Sequence, residues 1–144
     1  IAAKLMGLRI VYWYNQICRM NTWSKDQIIA WQNERLQALV KHAYEHTVYY
    51  RNLFDSLALK PTDIRCSDDL KKIPIITKEI AIAHYDEIVP DNISEYKYRK
   101  RKTGGTSGEP MLYLLDENTW GYTSAAKIYS SIFPLFCTFA IFIA

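Results

Sequence analysis

Thr103-Gly104-Gly105-Thr106-Ser107-Gly108-Glu109-Pro110 gathers three of the chain's five glycines and three hydroxyl side chains into eight residues. Glycine admits positive φ and close approach of the backbone to a ligand, so successive N–H groups can converge on an anion. The Thr and Ser hydroxyls add side-chain donors. Just upstream, Tyr96-Lys97-Tyr98-Arg99-Lys100-Arg101-Lys102 supplies five cations between positions 97 and 102. Their summed field favours anions. The chemistry this grouping suits is the holding of phosphates.

The loop is not a Walker motif, which needs Lys directly after its last glycine and then a helix; here Gly108 is followed by Glu109-Pro110. Met111-Leu112-Tyr113-Leu114-Leu115 follows as a short apolar run that reads as a strand. A glycine loop between two strands is also not the strand–loop–helix of a dinucleotide fold. A hairpin turn rich in Gly, Thr and Ser for its geometry alone fits the same residues. Residue types leave both readings open.

The flanking elements read as follows. Alternation of Tyr96 and Tyr98 with Lys97 and Arg99 suits a strand with one wet face. Asp116 caps a helix on which Trp120, Ser124 and Ile128 share a face. Residues 1–20 have roughly helical spacing, as a packing helix or, alternatively, an interfacial membrane helix. Ser24-Lys25-Asp26-Gln27 is a capping box, and Ile28, Trp31, Leu36, Leu39 and Ala43 form one stripe of the long helix it opens. That helix is expected to pack on the sheet that carries the loop. Tyr49-Tyr50-Arg51 reads as its aromatic exit. Pro61 marks a connection, Ser67-Asp68-Asp69 starts a short helix closed by Pro74, Thr77 caps the next, and Pro90-Asp91-Asn92 breaks the chain before the strand.

Other chemistry is sparse. His42 and His46 have a metal-pair spacing, but no third ligand is suggested nearby, so no metal site is expected. Cys18, Cys66 and Cys137 are scattered and odd in number, which argues against a disulfide framework or a thiolate zinc site and for a reducing, cytoplasmic setting. The net charge is +3, and without the five cations of the basic run the remainder is −2. Basicity is therefore local, and no nucleic-acid partner is expected.

At 144 residues and 49% hydrophobic composition, the chain suits one folded domain. It begins with Ile1 rather than Met, and is expected to start inside a longer reading frame. Residues 128–144 contain no charge and include Pro134. A frameshifted or mis-assigned end, a buried core segment cut short, and a membrane anchor all fit this tail. Spanning helices usually need about twenty apolar residues, and membrane contact follows only if the tail is genuine.

Thr103 to Pro110 resembles the phosphate-binding loop of the adenylate-forming (AMP-binding) superfamily. Leu36 to His46 with Tyr49-Tyr50-Arg51, and Asp69-Leu70-Lys71-Lys72-Ile73-Pro74-Ile75-Ile76-Thr77-Lys78, are similar to successive segments of its phenylacetate–CoA ligase-like branch. Three blocks in order, across residues 31 to 120, are more specific than one glycine loop. Two departures stand out. Val48 occupies the place of a usual proline, and Glu109 and Met111 stand where many superfamily members carry Lys near the end of the loop.

The resemblance implies an α/β fold, with N-terminal helices packed on the beginning of the large sheet subdomain, truncated here. It divides the chain into a mainly helical segment (1–95), a strand–phosphate loop–strand–helix unit (96–127) and the apolar tail (128–144). It implies a carboxylic acid activated by ATP and Mg²⁺ as an acyl-adenylate, then passed to coenzyme A or another acceptor. The cofactor-binding residues would be Thr103, Gly104, Gly105, Thr106, Ser107, Gly108, Glu109 and Pro110, with Lys102 or Arg101 substituting for the missing Lys. The basic run would then help to attract ATP. Catalytic residues are not identified, because the adenine and acyl pockets, the Mg²⁺-binding acid and the C-terminal lid lie in later segments of the family. The 144 residues alone are expected to be inactive. Substrates would be a nucleotide and a small carboxylic acid, and relatives of the branch include proteins associated with capsule polysaccharide synthesis. A non-catalytic phosphate-binding or membrane-tethered domain is the alternative.

Overall fold

A computed structural model of the chain describes the backbone of residues 2–104 and 110–142, with side chains for residues 9–104 and 110–131. The order of elements is α1 (Ala2–Met20), α2 (Lys25–His46), α3 (Val48–Ser56), 3-10 segments at Pro61–Asp63 and Ser67–Lys72, α4 (Lys78–Ala83), α5 (Tyr85–Ile88), a third 3-10 segment at Ile93–Glu95, β1 (Tyr98–Lys102), β2 (Leu112–Asp116) and α6 (Glu117–Phe142). The described residues are mostly helical with one small two-stranded antiparallel sheet, which is compatible with the α/β class. They divide into two compact units: residues 24–96 with 102–113, and residues 1–23 with 97–101 and 114–144.

The first unit is built on α2. Ser24 Oγ accepts the Gln27 N–H at 3.2 Å and the Gln27 side chain accepts the Ser24 N–H at 2.8 Å, completing the expected capping box. The core consists of Val40, Phe54 and Ile64, with Leu36, Tyr44, Leu59 and Ile73 packed against it. The inward face of α2 is therefore the i, i+4, i+8 row Leu36, Val40, Tyr44. Leu39, placed in the stripe by spacing, is 64% exposed. The core contains no strand residue, so the buried side of α2 is taken up by α3 and the turns after it rather than by a sheet.

Tyr49-Tyr50-Arg51 is not an exit. It lies in the first turns of α3, because Thr47 ends one helix and begins the next. The Thr47 hydroxyl donates to the Ala43 carbonyl at 2.7 Å and accepts the Tyr50 N–H at 3.3 Å. Val48 is then the first residue of α3, a position that suits proline because its N–H has no helical partner. The Arg51 guanidinium turns back to the Tyr44 and Glu45 carbonyls, which α2 leaves unsatisfied at its end.

At the end of α3, Ala58 adopts φ 52°. Its N–H reaches the Asp55 carbonyl at 3.1 Å and the Leu59 N–H reaches Phe54 at 3.0 Å, the two bonds of a Schellman stop. The Ser67–Lys72 segment forms where Ser67-Asp68-Asp69 was expected to start a helix, as a 3-10 turn with Asp69 accepting the N–H groups of Arg65 (2.9 Å) and Cys66 (3.2 Å). Thr77 caps α4 as expected, accepting the Ile80 N–H at 3.4 Å.

In the second unit α1 lies along α6. Arg9 Nη1 donates to Asn118 Oδ1 at 2.9 Å, and the Trp13 and Tyr122 rings meet edge to face at 5.4 Å. Numbers rise together along both helices, so they run parallel. Among the described residues, the buried positions of α6 are Gly121 and Ala125, one residue beyond Trp120 and Ser124, which are half-buried. Small residues there let α1 approach closely: a Cβ on Gly121 would sit 3.2 Å from Arg9 Cβ.

Candidate functional site

The candidate loop joins β1 to β2. Glu117 N–H donates to Lys97 O at 3.0 Å at one end of the hairpin, and Thr103 N–H donates to Met111 O at 2.9 Å at the other. The register is the same at both ends, so no bulge interrupts the ladder. Thr103 and Met111 thus stand opposite each other where the two strands meet the segment that joins them. Of the site residues read from sequence, Thr103, Gly104 and Pro110 are described. Gly105, Thr106, Ser107, Gly108 and Glu109 lie outside the described residues.

Thr103 has a defined part. Its Oγ1 accepts the Met111 N–H at 3.0 Å, which closes the base of the loop. A hydroxyl carries one donor and two acceptor positions, so accepting this bond does not use its proton. Gly104 is exposed, and a Cβ built on it meets nothing within 4 Å. Packing inside the chain does not call for glycine at 104.

β1 is exposed at all five positions, Tyr98 among them, so the strand is wet on both faces rather than one. Its cations, with Lys97 just before it, are exposed. β2 is half-buried except at Tyr113. Asp116 ends β2 and caps α6 as expected: Oδ1 accepts the N–H groups of Asn118 at 2.8 Å and Thr119 at 3.0 Å, and Oδ2 accepts the Thr119 hydroxyl. Burial works to raise the Asp116 carboxyl, but these hydrogen bonds outweigh it and hold the group below the usual carboxylate value.

Two features were not apparent from sequence. An apolar cleft of about 470 Å³ lies beside the α2–α3 core, lined by residues such as Leu36, Val40, Phe54 and Ile76. It offers no charged group to a phosphate. The other feature concerns the histidine pair. The rings of His42 and His46 do face the same way, with centroids 4.7 Å apart, and Asp91 arrives from 45 residues along the chain to meet His46 Nδ1 at 2.8 Å. No local signal could have announced that partner. Among the described residues, no group of three or more His, Cys, Asp or Glu is arranged to hold a metal ion. Nor, among them, is any helix long and apolar enough to cross a membrane. The side chains of the apolar tail from residue 132 onward lie outside the described residues.

No protein-family model matches the chain. It is similar to curated proteins named phenylacetate-coenzyme A ligase. That of Aromatoleum evansii is 33% identical over 111 residues, covering 75% of this chain and 25% of the relative. That of Escherichia coli strain K12 is 33% identical over 99 residues, covering 69% and 23%. That of Pseudomonas putida is 32% identical over 112 residues, covering 76% and 26%. The chain spans about a quarter of the length of the curated relatives it matches.

Proposed function

From its phenylacetate–CoA ligase-like sequence, extending over some three quarters of the chain, we propose that this protein forms the phosphate-loop region of an ATP-dependent, adenylate-forming ligase. The likeness to four such ligases is the observation that carries the reading. The hairpin supports it: an unbulged ladder of an exposed basic strand and its partner flanks a segment whose sequence is rich in glycine and hydroxyls. Its N-terminal helices would belong to the large sheet subdomain of such an enzyme.

In this reading the parent enzyme binds ATP with Mg²⁺ and a small carboxylic acid. The carboxylate attacks the α-phosphate, pyrophosphate leaves, and the acyl group passes to coenzyme A or another acceptor. The part played by this chain is to hold the triphosphate for in-line attack and to stabilise the leaving pyrophosphate. Thr103, Thr106 and Ser107 donate hydroxyls, and Gly104, Gly105 and Gly108 donate backbone N–H groups. Glu109 and Pro110 complete the cofactor-binding segment. Lys102 or Arg101 supplies the charge that Glu109 and Met111 cannot. Those two departures favour a member associated with capsule polysaccharide synthesis, working in the cytoplasm. The remaining three quarters of the relatives' length would hold the adenine and acyl pockets, so these 144 residues bind without turnover.

The test is a titration of the isotopically labelled chain with ATP and Mg²⁺, followed by backbone amide shifts and by pyrophosphate release. Shifts confined to residues 102–111 without pyrophosphate are expected. An unmoved loop at millimolar ATP would overturn the binding role, and pyrophosphate release with any carboxylic acid would overturn the division of labour.

A further inference from the structure

We propose that His42 and His46 together hold one borderline divalent cation of the Zn²⁺ or Ni²⁺ class, with Asp91 orienting the His46 ring from behind. Both histidines stand on α2 one turn apart, and their ring centroids are 4.7 Å apart with planes tilted by 38°. A metal–nitrogen bond of about 2.0–2.1 Å puts each ring centre about 3.2 Å from the ion. Two such rings at ligand angles between square and tetrahedral then lie about 4.5–5.2 Å apart. The observed spacing falls inside that range without any rotation of the helix.

The second observation concerns the tautomer. His46 Nδ1 lies 2.8 Å from Asp91 Oδ1, and the Asp91 N–H donates to the His46 carbonyl at 2.8 Å, so one side-chain contact and one backbone bond join the two residues. A carboxylate accepting from Nδ1–H leaves the lone pair on Nε2, which is the arrangement carboxylates impose on metal-binding histidines. Neither ring nitrogen of His42 makes a hydrogen bond among the described residues. The His46 side chain is one-third exposed, which leaves a path for the ion and room for water to complete its shell. Of the nearby charged groups, Arg51 donates to the Tyr44 and Glu45 carbonyls while also facing Asp91, and Glu45 pairs with Lys41 at 3.9 Å.

The experiment is calorimetric titration of the whole chain with Zn²⁺ and, separately, Ni²⁺, alongside nitrogen NMR of the imidazole rings. Saturable binding of one ion is expected, with the ring signals of His42 and His46 shifting and those of His84 unmoved. His42→Gln should abolish saturable binding. Asp91→Asn should weaken it about tenfold or more while leaving both ligands in place. Circular dichroism of each variant separates loss of the site from loss of the fold. Absence of saturable binding, shifts confined to His84, or binding that survives His42→Gln because thiols hold the metal would each overturn the proposal.

Discussion

Thr103 and Met111 are joined twice at the base of the candidate loop: the Thr103 N–H donates to the Met111 carbonyl, and the Met111 N–H donates to the Thr103 hydroxyl oxygen. One residue thus continues the ladder with its backbone and locks it with its side chain. Thr103→Val keeps the shape and the backbone bond but leaves the Met111 N–H without its acceptor. The expected cost is about 1 kcal/mol in hairpin closure, read as roughly fivefold faster hydrogen exchange at the Met111 amide. Thr103→Ser should restore slow exchange. A Val variant that exchanges like the parent would show that the bond contributes nothing.

Ala58 sits at φ 52° in the Schellman stop of α3, a conformation in which its Cβ crowds the next carbonyl. Ala58→Gly should raise stability by roughly 0.5–1 kcal/mol, after allowing for the larger entropy glycine gains on unfolding. Phe54, which shares that stop and is 1% exposed, gives the opposite result. Phe54→Ala should cost about 3–5 kcal/mol by leaving a cavity beside Val40 and Ile64. Chemical denaturation of both variants checks the pair of signs.

Gly121→Ala sets two effects against each other. Alanine gains about 0.8–1 kcal/mol of helix propensity. Its Cβ would also sit 3.2 Å from Arg9 Cβ and 3.6 Å from the Arg9 carbonyl carbon, atoms with little freedom to retreat. A net change near zero is expected. Gly121→Leu has no such balance and should part α1 from α6, read as loss of the near-ultraviolet signal from Trp13 against Tyr122.

Asp69 governs an acid response. The Lys72 ammonium at 2.7 Å, with the N–H groups of Arg65 and Cys66, holds its carboxyl far below the ordinary carboxylate range. A depressed folded value means that its contribution is complete above the unfolded value near pH 4 and disappears as pH falls through the folded one. Asp69→Asn should lower Tm at pH 7 and flatten the loss of Tm below pH 4. Parallel Tm–pH curves for parent and variant would dismiss the role.

Local chemistry was legible in the sequence. Ser24 with Gln27, Thr77 and Asp116 each act within three residues of themselves, so their caps could be read directly. Faces were harder. Spacings of three to five admitted Leu39 to the α2 stripe, but only the arrival of Phe54 and Ile64 decides that Leu36, Val40 and Tyr44 turn inward. Tyr49-Tyr50-Arg51 was misplaced because Thr47 serves two helices at once, and nothing in its neighbours announces the second. The two strands that flank the glycine-rich segment were legible, whereas the clasp between them required Thr103 and Met111 to meet across eight positions.

The exposure of β1 has a further consequence. Among the described residues, the sheet has two strands, and an open strand edge is the kind of ladder that recruits another chain. Four of its five residues are Arg or Lys. A second copy adding itself along that edge would bring like charges to within about 4.8 Å of one another, strand against strand. The like charges of the basic run would therefore act as a guard against such strand-to-strand association. Any polyanion that neutralises it would remove the guard.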